Sequence, residues 1–585
     1  MLPNSSQHAL LKPFLVALIW TGLALAAPAK DVELTTEANL MVEMTFTAKQ
    51  TYTDPFNQVT LDAVFRDPQG RQVRVPAFWA GGNLWKVRYA SPIKGMHRFR
   101  TICSEEADKG LNGVSGKVQI TLYHGQNPLY THGPLRVSVN HRYLEHADGT
   151  PFFWLGDTWW MGLCHRLHWP DEFGQLVADR KQKGFNVIQL VAGLYPDMPP
   201  FDPRGANEAG FPWQTNYSSI RPEYFDAVDQ RVKYLVDQGL TPCVVGAWGY
   251  FIPWMGVWKM EQHWRYLIAR YGALPVVWCV AGEANLPYYL VKAFPYDDRT
   301  QVKSWTEVMR YVRETDPFHR LVTIHPTGIN RLSARNATDD ISLLDIDMLQ
   351  TPHGHREAIP PTVKTMRESY TDNPVMPVIN GEASYEMLMD RIPAQWPRAM
   401  FWICMMNGAA GHTYGANGIW QCNRRDQPHG PSPNGKKDSV GYGKISWDEA
   451  MNLDGSRQIA LGKKLLIQYP WQHFTPHPEW ASFTNQAPEA LEVPQATGIP
   501  GLVRIIWVPR SEPIIVRHLD QEAGWTAAYF DPVNGTRKRL GEARADQSGI
   551  WRCDSPAGND HDWVLILEAQ RSQSVERKTA SAEPR

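Results

Sequence analysis

The sequence predicts a multidomain protein: a central (β/α)8 TIM barrel flanked by two small antiparallel β-sandwich domains. Three observations predict it. The 585 residues exceed what one hydrophobic core accommodates. Period-two alternation of apolar and polar residues dominates both flanks, 31–122 and 475–570. Between them, over 135–470, apolar strand-like runs alternate with helix-like ones, the pattern of βα units.

Residues 1–27 have the layout of a secretory signal peptide. Lys12 precedes an apolar core from Pro13 to Leu25, and the small residues of Ala24-Leu25-Ala26 close it. The core is too short for a membrane span. The protein is therefore expected to be secreted or periplasmic, with no membrane span after signal cleavage; an uncleaved anchor is the alternative.

In 31–122 the runs "LMVEMTFTA", "QVTLDAVFRD", "LWKVRYA", "GMHRFRTI" and "GKVQITLY" alternate and are broken by Gly, Pro, Asn and Asp, as in an immunoglobulin-like sandwich. "HGQNPLYTHGP" links this module to the barrel region. Eight strands are expected there: 152–157, 186–192, 242–249, 275–283, 320–326, 343–350, 376–382 and 402–411. The intervening helices show apolar stripes, with Phe225, Val228, Val232 and Leu235 on one and Trp305, Val308, Met309 and Val312 on another. The alternative, a doubly wound open sheet, calls for a phosphate-binding Gly loop after the first strand; here Thr158-Trp159-Trp160 follows. A helical segment over 447–471 closes the barrel region, short alternating runs resume over 475–570, and the charged, Ser-rich tail 571–585 is expected to be disordered.

Composition narrows the partners. A formal net charge of -1 argues against a nucleic-acid or anionic-membrane surface, which calls for a basic excess. Twenty-four Trp offer indole faces for sugar rings, although a large core also absorbs them. The seven Cys form no CxxC or Cys/His cluster, so neither a zinc site nor a disulfide framework is expected. Cys243, Cys279 and Cys404 lie in apolar runs and are expected to be buried thiols.

The chemistry lies at the strand ends. In a TIM barrel the positions just past each strand face one mouth. Those positions carry, in order, Asp157, Gln189, Trp248, Glu283 with Asn285, His325, Gln350 with His353, Glu382, and His412 with Tyr414. Two of them repeat one plan. "PVVWCVAGEANLP" and "NPVMPVINGEASYE" each end an apolar run in Gly-Glu, at strands 4 and 7. Carboxylates there face each other across the mouth and suit glycoside hydrolysis, one as proton donor and one attacking the anomeric carbon or activating water. The glycines are expected to let the backbone turn sharply. Trp278 and Ala281 are expected to help keep Glu283 neutral by desolvation. The competing reading is a pair of salt-bridged glutamates.

The stretches "RYLEHADGTPFFWLGDTWW", "RKQKGFNVIQL", "VVWCVAGEAN", "PVINGEASYE" and "WDEAMNLDGSRQI" resemble the apiosidase-like family of glycoside hydrolases. The resemblance implies a retaining mechanism with Glu283 as acid/base and Glu382 as nucleophile, without metal or organic cofactor. Members of that family often carry Gly-Gly-Asp where this chain has Ala281-Gly282-Glu283, an acid longer by one methylene. Residues 31–122 resemble the immunoglobulin-like module that often precedes such barrels. The C-terminal "AAYFDPVNGTRKRL" and "DWVLILE" resemble a module named collagen-binding in such proteins, a label that describes a fold.

Asp157 is expected to bond a sugar hydroxyl or to cap the following segment, and Trp159 or Trp160 to form a stacking wall. Trp248 is a second stacking candidate. Gln189, Asn285 and Tyr385 complete the expected substrate contacts, and His325 and His353 are expected to contact sugar hydroxyls or to orient a glutamate. His325, His353 and His355 also raise the idea of a metal, but their spacing matches no zinc pattern, and none is expected. The loop 202–216, rich in Gly, Pro and Asn, is expected to wall or cover the mouth. The leading expectation is a secreted glycosidase acting on a plant or microbial polysaccharide. The alternative is a non-catalytic carbohydrate- or matrix-binding protein on the same barrel.

Overall fold

The computed structural model describes residues 32–286, 298–328, 332–430, 443–487, 489–520, 522–556 and 561–570. The expected signal peptide and tail lie outside the described residues. At the centre, eight parallel strands run in chain order: β1 (Trp154–Thr158), β2 (Val187–Val191), β3 (Thr241–Val245), β4 (Val277–Cys279), β5 (Val322–Thr323), β6 (Asp347–Gln350), β7 (Val378–Glu382) and β8 (Gly411–Tyr414). β1 pairs with both β2 and β8, which curls the sheet round. Between β5 and β6 the ladder gives way to three bonds: Asp345 N to Val322 O at 2.9 Å, Val322 N to Asp345 Oδ2 at 2.8 Å, and Thr323 Oγ1 to Ile346 O at 2.9 Å. The result is a nearly closed barrel. Every barrel-strand residue is buried, as expected of parallel strands covered on both faces, and this is why these runs are largely apolar without a strict alternation.

Helices α1 (Asp171–Lys183), α2 (Pro222–Asp237), α3 (Ile252–Tyr271), α4 (Asp298–Thr315), α5 (Ile359–Thr371), α6 (Gln395–Met406) and α7 (Asp454–Leu466) cover the barrel. α1 shows why such segments are helical. Asp171 and Glu172 stand in its first turn, Arg180, Lys181 and Lys183 in its last, and Gly184 caps it in the left-handed conformation with φ 91°.

One element differs from expectation. The run 402–411, expected to be the eighth strand, is largely the end of α6, and the strand follows it as β8. All residues of α6 from Pro397 to Met406 are buried. On one side Phe401 meets His412 of β8 at 5.7 Å between ring centroids; on the other Trp402 meets Phe530 of the C-terminal sandwich at 6.5 Å. A helix buried all round has no polar stripe, so its sequence is indistinguishable by periodicity from a buried strand.

The N-terminal sandwich packs a five-stranded sheet against a three-stranded one around Phe46, Phe65, Trp85 and Phe99. Its first strand, Val32–Glu37, pairs parallel with Ser115–Thr121; the other pairings are antiparallel. The C-terminal sandwich has sheets of six and three strands, antiparallel throughout, around Trp480, Trp525 and Trp563. Ion pairs join both to the barrel: Arg88 to Asp229 and Arg265 to Asp62 on one side, Arg398 to Asp562 on the other. All seven cysteines are buried and free. Among the described residues, no helix is long and apolar enough to cross a membrane.

Candidate active site

β4 ends at Cys279, yet its ladder continues. Gly282 N donates to Ala247 O at 2.9 Å, and Ala284 N to His325 O at 2.9 Å. This carries Glu283 to the carboxyl end of the barrel. Glu283 itself takes the left-handed conformation, with φ 41°, uncommon for a residue with a Cβ. The glycine before it has another role than the expected turn. A Cβ on Gly282 would lie 2.3 Å from the Trp248 ring, and one on Gly381 would lie 2.7 Å from Met348 Sδ. Both glycines make room for a neighbouring side chain.

Glu382 ends β7. His353 Nδ1 accepts from Tyr385 N at 3.3 Å, so its proton sits on Nε2, which donates to Glu382 Oε1 at 2.9 Å. On the other side His325 Nε2 lies 3.4 Å from Glu382 Oε2, and His325 Nδ1 meets Pro326 O at 2.9 Å. Glu283 receives Gln350 Nε2 on Oε1 at 3.0 Å and Trp248 Nε1 on Oε2 at 3.2 Å. Gln350 is the register partner of Glu382 between β6 and β7, so one sheet rung links the two carboxyl groups.

Their electrostatics diverge. Burial and the charge of Glu382 push Glu283 above the usual carboxylate range, against the opposing effect of Gln350, His325 and Trp248. Burial alone would also raise Glu382, but His325 and His353 outweigh it and hold that group well below the usual range. One group is thus disposed to keep a proton and its neighbour to stay ionised.

Both open into a cavity of about 640 Å³, within the range of small-ligand sites. Trp160, Trp248, Tyr385 and Trp420 give it aromatic walls. Trp160 stands edge-on to Trp248, with centroids 5.4 Å apart, and Tyr385 edge-on to His353 at 4.7 Å.

Other expected contacts are placed elsewhere. Asp157 is fully buried and accepts from Trp159 Nε1 at 2.7 Å and Arg180 Nε at 2.6 Å. This corrects the expectation of a sugar contact: the carboxylate neutralises a guanidinium enclosed beneath the mouth. Trp159 is equally buried against Phe173 and forms no stacking wall. Gln189 bonds Gly381 O at 3.0 Å and so steadies β7 just before Glu382. Asn285 accepts from Thr327 N at 2.9 Å and ties the segment after Glu283 to the one after β5. Gln189, Asn285 and His325 do not line the cavity. The 202–216 loop supplies no cavity wall either. Its Trp213 packs on Phe56 of the N-terminal sandwich at 5.4 Å, while Pro196 and Asp197 form that rim. His355 turns away, with Nε2 3.1 Å from Arg391 O and its ring on Trp396. Among the described residues no three His, Cys, Asp or Glu side chains are grouped to hold a metal ion.

Sequence reasoning missed Trp420, Asp197, Leu388 and Met389 in the walls. They lie in loops after β8, β2 and β7, so loop position relative to a strand was the available signal.

A nearly closed barrel with carboxyl groups of opposed acidity after β4 and β7 defines the class, a glycoside hydrolase. The chain belongs to the apiosidase-like family: the model of its catalytic domain matches residues 138–473. Residues 36–104 match DUF5060, a domain of unknown function. No curated protein matches the chain. Solved structures share the fold. One described as a glycoside hydrolase aligns with TM-score 0.59 and 22% identity over 77% of this chain and 99% of its own. A glycoside hydrolase family 5 protein from Bacteroides vulgatus gives 0.60 and 22% over 77% and 96%. A second protein from that organism gives 0.63 and 16% over 92% and 100%.

Proposed function

We propose that the chain is a secreted, retaining glycosidase of plant or microbial polysaccharide, with Glu283 as acid/base and Glu382 as nucleophile. The observation that carries this reading is the placement of Glu283 and Glu382 at the mouth with opposed shifts of their carboxyl groups, which supports Glu283 as the protonated partner and Glu382 as the ionised one. In the first step Glu382 attacks the anomeric carbon, and Glu283 gives its proton to the departing oxygen. In the second, Glu283, now ionised, takes a proton from water as that water breaks the glycosyl ester of Glu382. The donors Gln350 and Trp248 favour the ionised form of Glu283 needed for that second step. Secretion rests on the signal-like layout of residues 1–27.

The test is a screen of the pure protein on aryl glycosides and plant polysaccharides. Glu382→Gln should abolish turnover on any substrate found. Glu283→Gln should keep activity on aryl glycosides with good leaving groups, which need little proton donation, and azide should raise it. Near-normal activity in both variants would refute the assignment.

A further inference from the structure

A second cavity, of about 430 Å³, lies between the N-terminal sandwich and the barrel. Its barrel-side wall includes Pro275, which precedes β4, and Pro317 to Arg320, which precede β5. It therefore sits at the amino ends of the strands, the end of the barrel opposite Glu283 and Glu382. Nothing in the hydrolytic chemistry uses it.

The feature that marks it is Arg320. This side chain is 7% exposed and lines the cavity. Its Nε donates to Gly272 O at 2.9 Å, and its guanidinium lies 5.5 Å from the Phe318 ring centroid. Among the described residues no acceptor meets its two terminal nitrogens. Asp316 acts on it electrically but makes no ion pair with it. The Asp316 oxygens accept from Phe318 N at 3.0 Å, Arg320 N at 2.8 Å and Trp278 Nε1 at 2.9 Å. Burial lowers the Arg320 guanidinium to about 10 despite that neighbour. A buried cation without a contacting anion is costly unless something answers it. The one carboxylate in the cavity wall, Asp67, is already matched: it pairs with Arg71 Nε at 3.0 Å and accepts from Gln69 N and Arg71 N.

Two free N–H groups side by side on a guanidinium match a carboxylate. Around them the wall is largely apolar, with Phe318, Ile93, Leu129 and several prolines among its residues. That combination fits a ring bearing a carboxylate. Rings of that kind within reach of a glycoside hydrolase are the uronic acids of acidic polysaccharides. We propose that this cavity binds a hexuronate unit, its carboxylate on Arg320 and its ring against Phe318, so that an acidic polysaccharide is held at a point remote from the cleavage site. This rests on the glycoside hydrolase class and not on the roles given to Glu283 and Glu382.

The experiment is calorimetric titration of the full chain with galacturonate, glucuronate, galactose and inorganic phosphate. A uronate should bind saturably and galactose should not. Arg320→Gln should weaken uronate binding at least about tenfold through loss of the charge-assisted pair. Because Arg320 also ties down Gly272, Phe318→Ala is the second variant; it should weaken binding several-fold while activity at the mouth is kept. Glu382→Gln should bind uronate as the native chain does. Uronate binding lost in Glu382→Gln would place the ligand in the mouth and overturn the proposal. Equal affinity for galactose or for phosphate, no saturable uronate binding, or affinity unchanged in both Arg320→Gln and Phe318→Ala would overturn it too.

Discussion

His353 Nε2 donates to Glu382 Oε1 at 2.9 Å, and this bond, with His325 Nε2 3.4 Å from Oε2, keeps Glu382 ionised against its own burial. Removing it by His353→Ala raises the carboxyl pKa. The acid limb of kcat/KM, which tracks ionisation of the attacking group, should then move to higher pH, by about one unit for the loss of one such donor. Activity falls most at low pH and recovers as pH rises. A uniform loss at all pH values would show that His353 only shapes the mouth.

In the proposed mechanism the opposite limb belongs to Glu283. Gln350 lowers its pKa through the 3.0 Å bond to Oε1, so Gln350→Met should raise it and shift the basic limb of kcat/KM to higher pH. The same change leaves a smaller ionised fraction of Glu283 to hydrolyse the glycosyl ester. With an activated leaving group, kcat should therefore fall about tenfold while the first burst of product persists. A basic limb that stays in place would remove Gln350 from this role.

The pair Gly282 and Gly381 was legible in the sequence as two Gly-Glu ends, but the reason for glycine was not. Periodicity shows where a strand ends; it does not show that Trp248 will lie against Gly282 or Met348 against Gly381. The same limit explains other differences. Asp157 and Trp159 follow a strand as mouth residues do, yet they turn inward because Arg180 on α1 needs a buried partner. The strand of β8 was displaced by some residues because α6 is enclosed between barrel and sandwich and carries no stripe. Seven of the eight strands, the flanking sandwiches and the places of Glu283 and Glu382 were legible, because parallel barrel strands are largely apolar and end in polar residues.

From those contacts a contrast follows. Gly282→Ala places a Cβ 2.3 Å from the rigid Trp248 ring, which must move and take its 3.2 Å bond to Glu283 with it. Gly381→Ala meets the flexible Met348 side chain at 2.7 Å. Gly282→Ala should cut kcat about 10- to 100-fold, on the scale of one general-acid contribution, and Gly381→Ala clearly less. Steady-state kinetics on both variants, with melting curves as a folding control, would show the reverse order if the reading of Gly282 is wrong.

Glu386 offers a test of stability against pH. Burial raises its carboxyl from 4.5 to about 7, although Tyr414 OH at 2.6 Å and Gly455 N at 2.9 Å favour its ionised form. The folded protein thus holds a proton that the unfolded chain releases, and stability falls as pH rises from 4.5 to about 7. At about 1.4 kcal/mol per unit, Glu386→Gln should stabilise the protein by up to about 3 kcal/mol at pH near 8 and by little near pH 4. Denaturant curves at the two pH values check it; an equal effect at both would contradict the assignment.

In the proposed mechanism Glu382 attacks the anomeric carbon while Glu283 donates and later accepts the proton. The most direct measurement is the anomeric configuration of the first-formed sugar, followed by proton NMR before mutarotation. Attack by Glu382 followed by water gives two inversions, so the first product should have the configuration of the substrate. A first product of inverted configuration would contradict it, making Glu382 a base for water rather than a nucleophile.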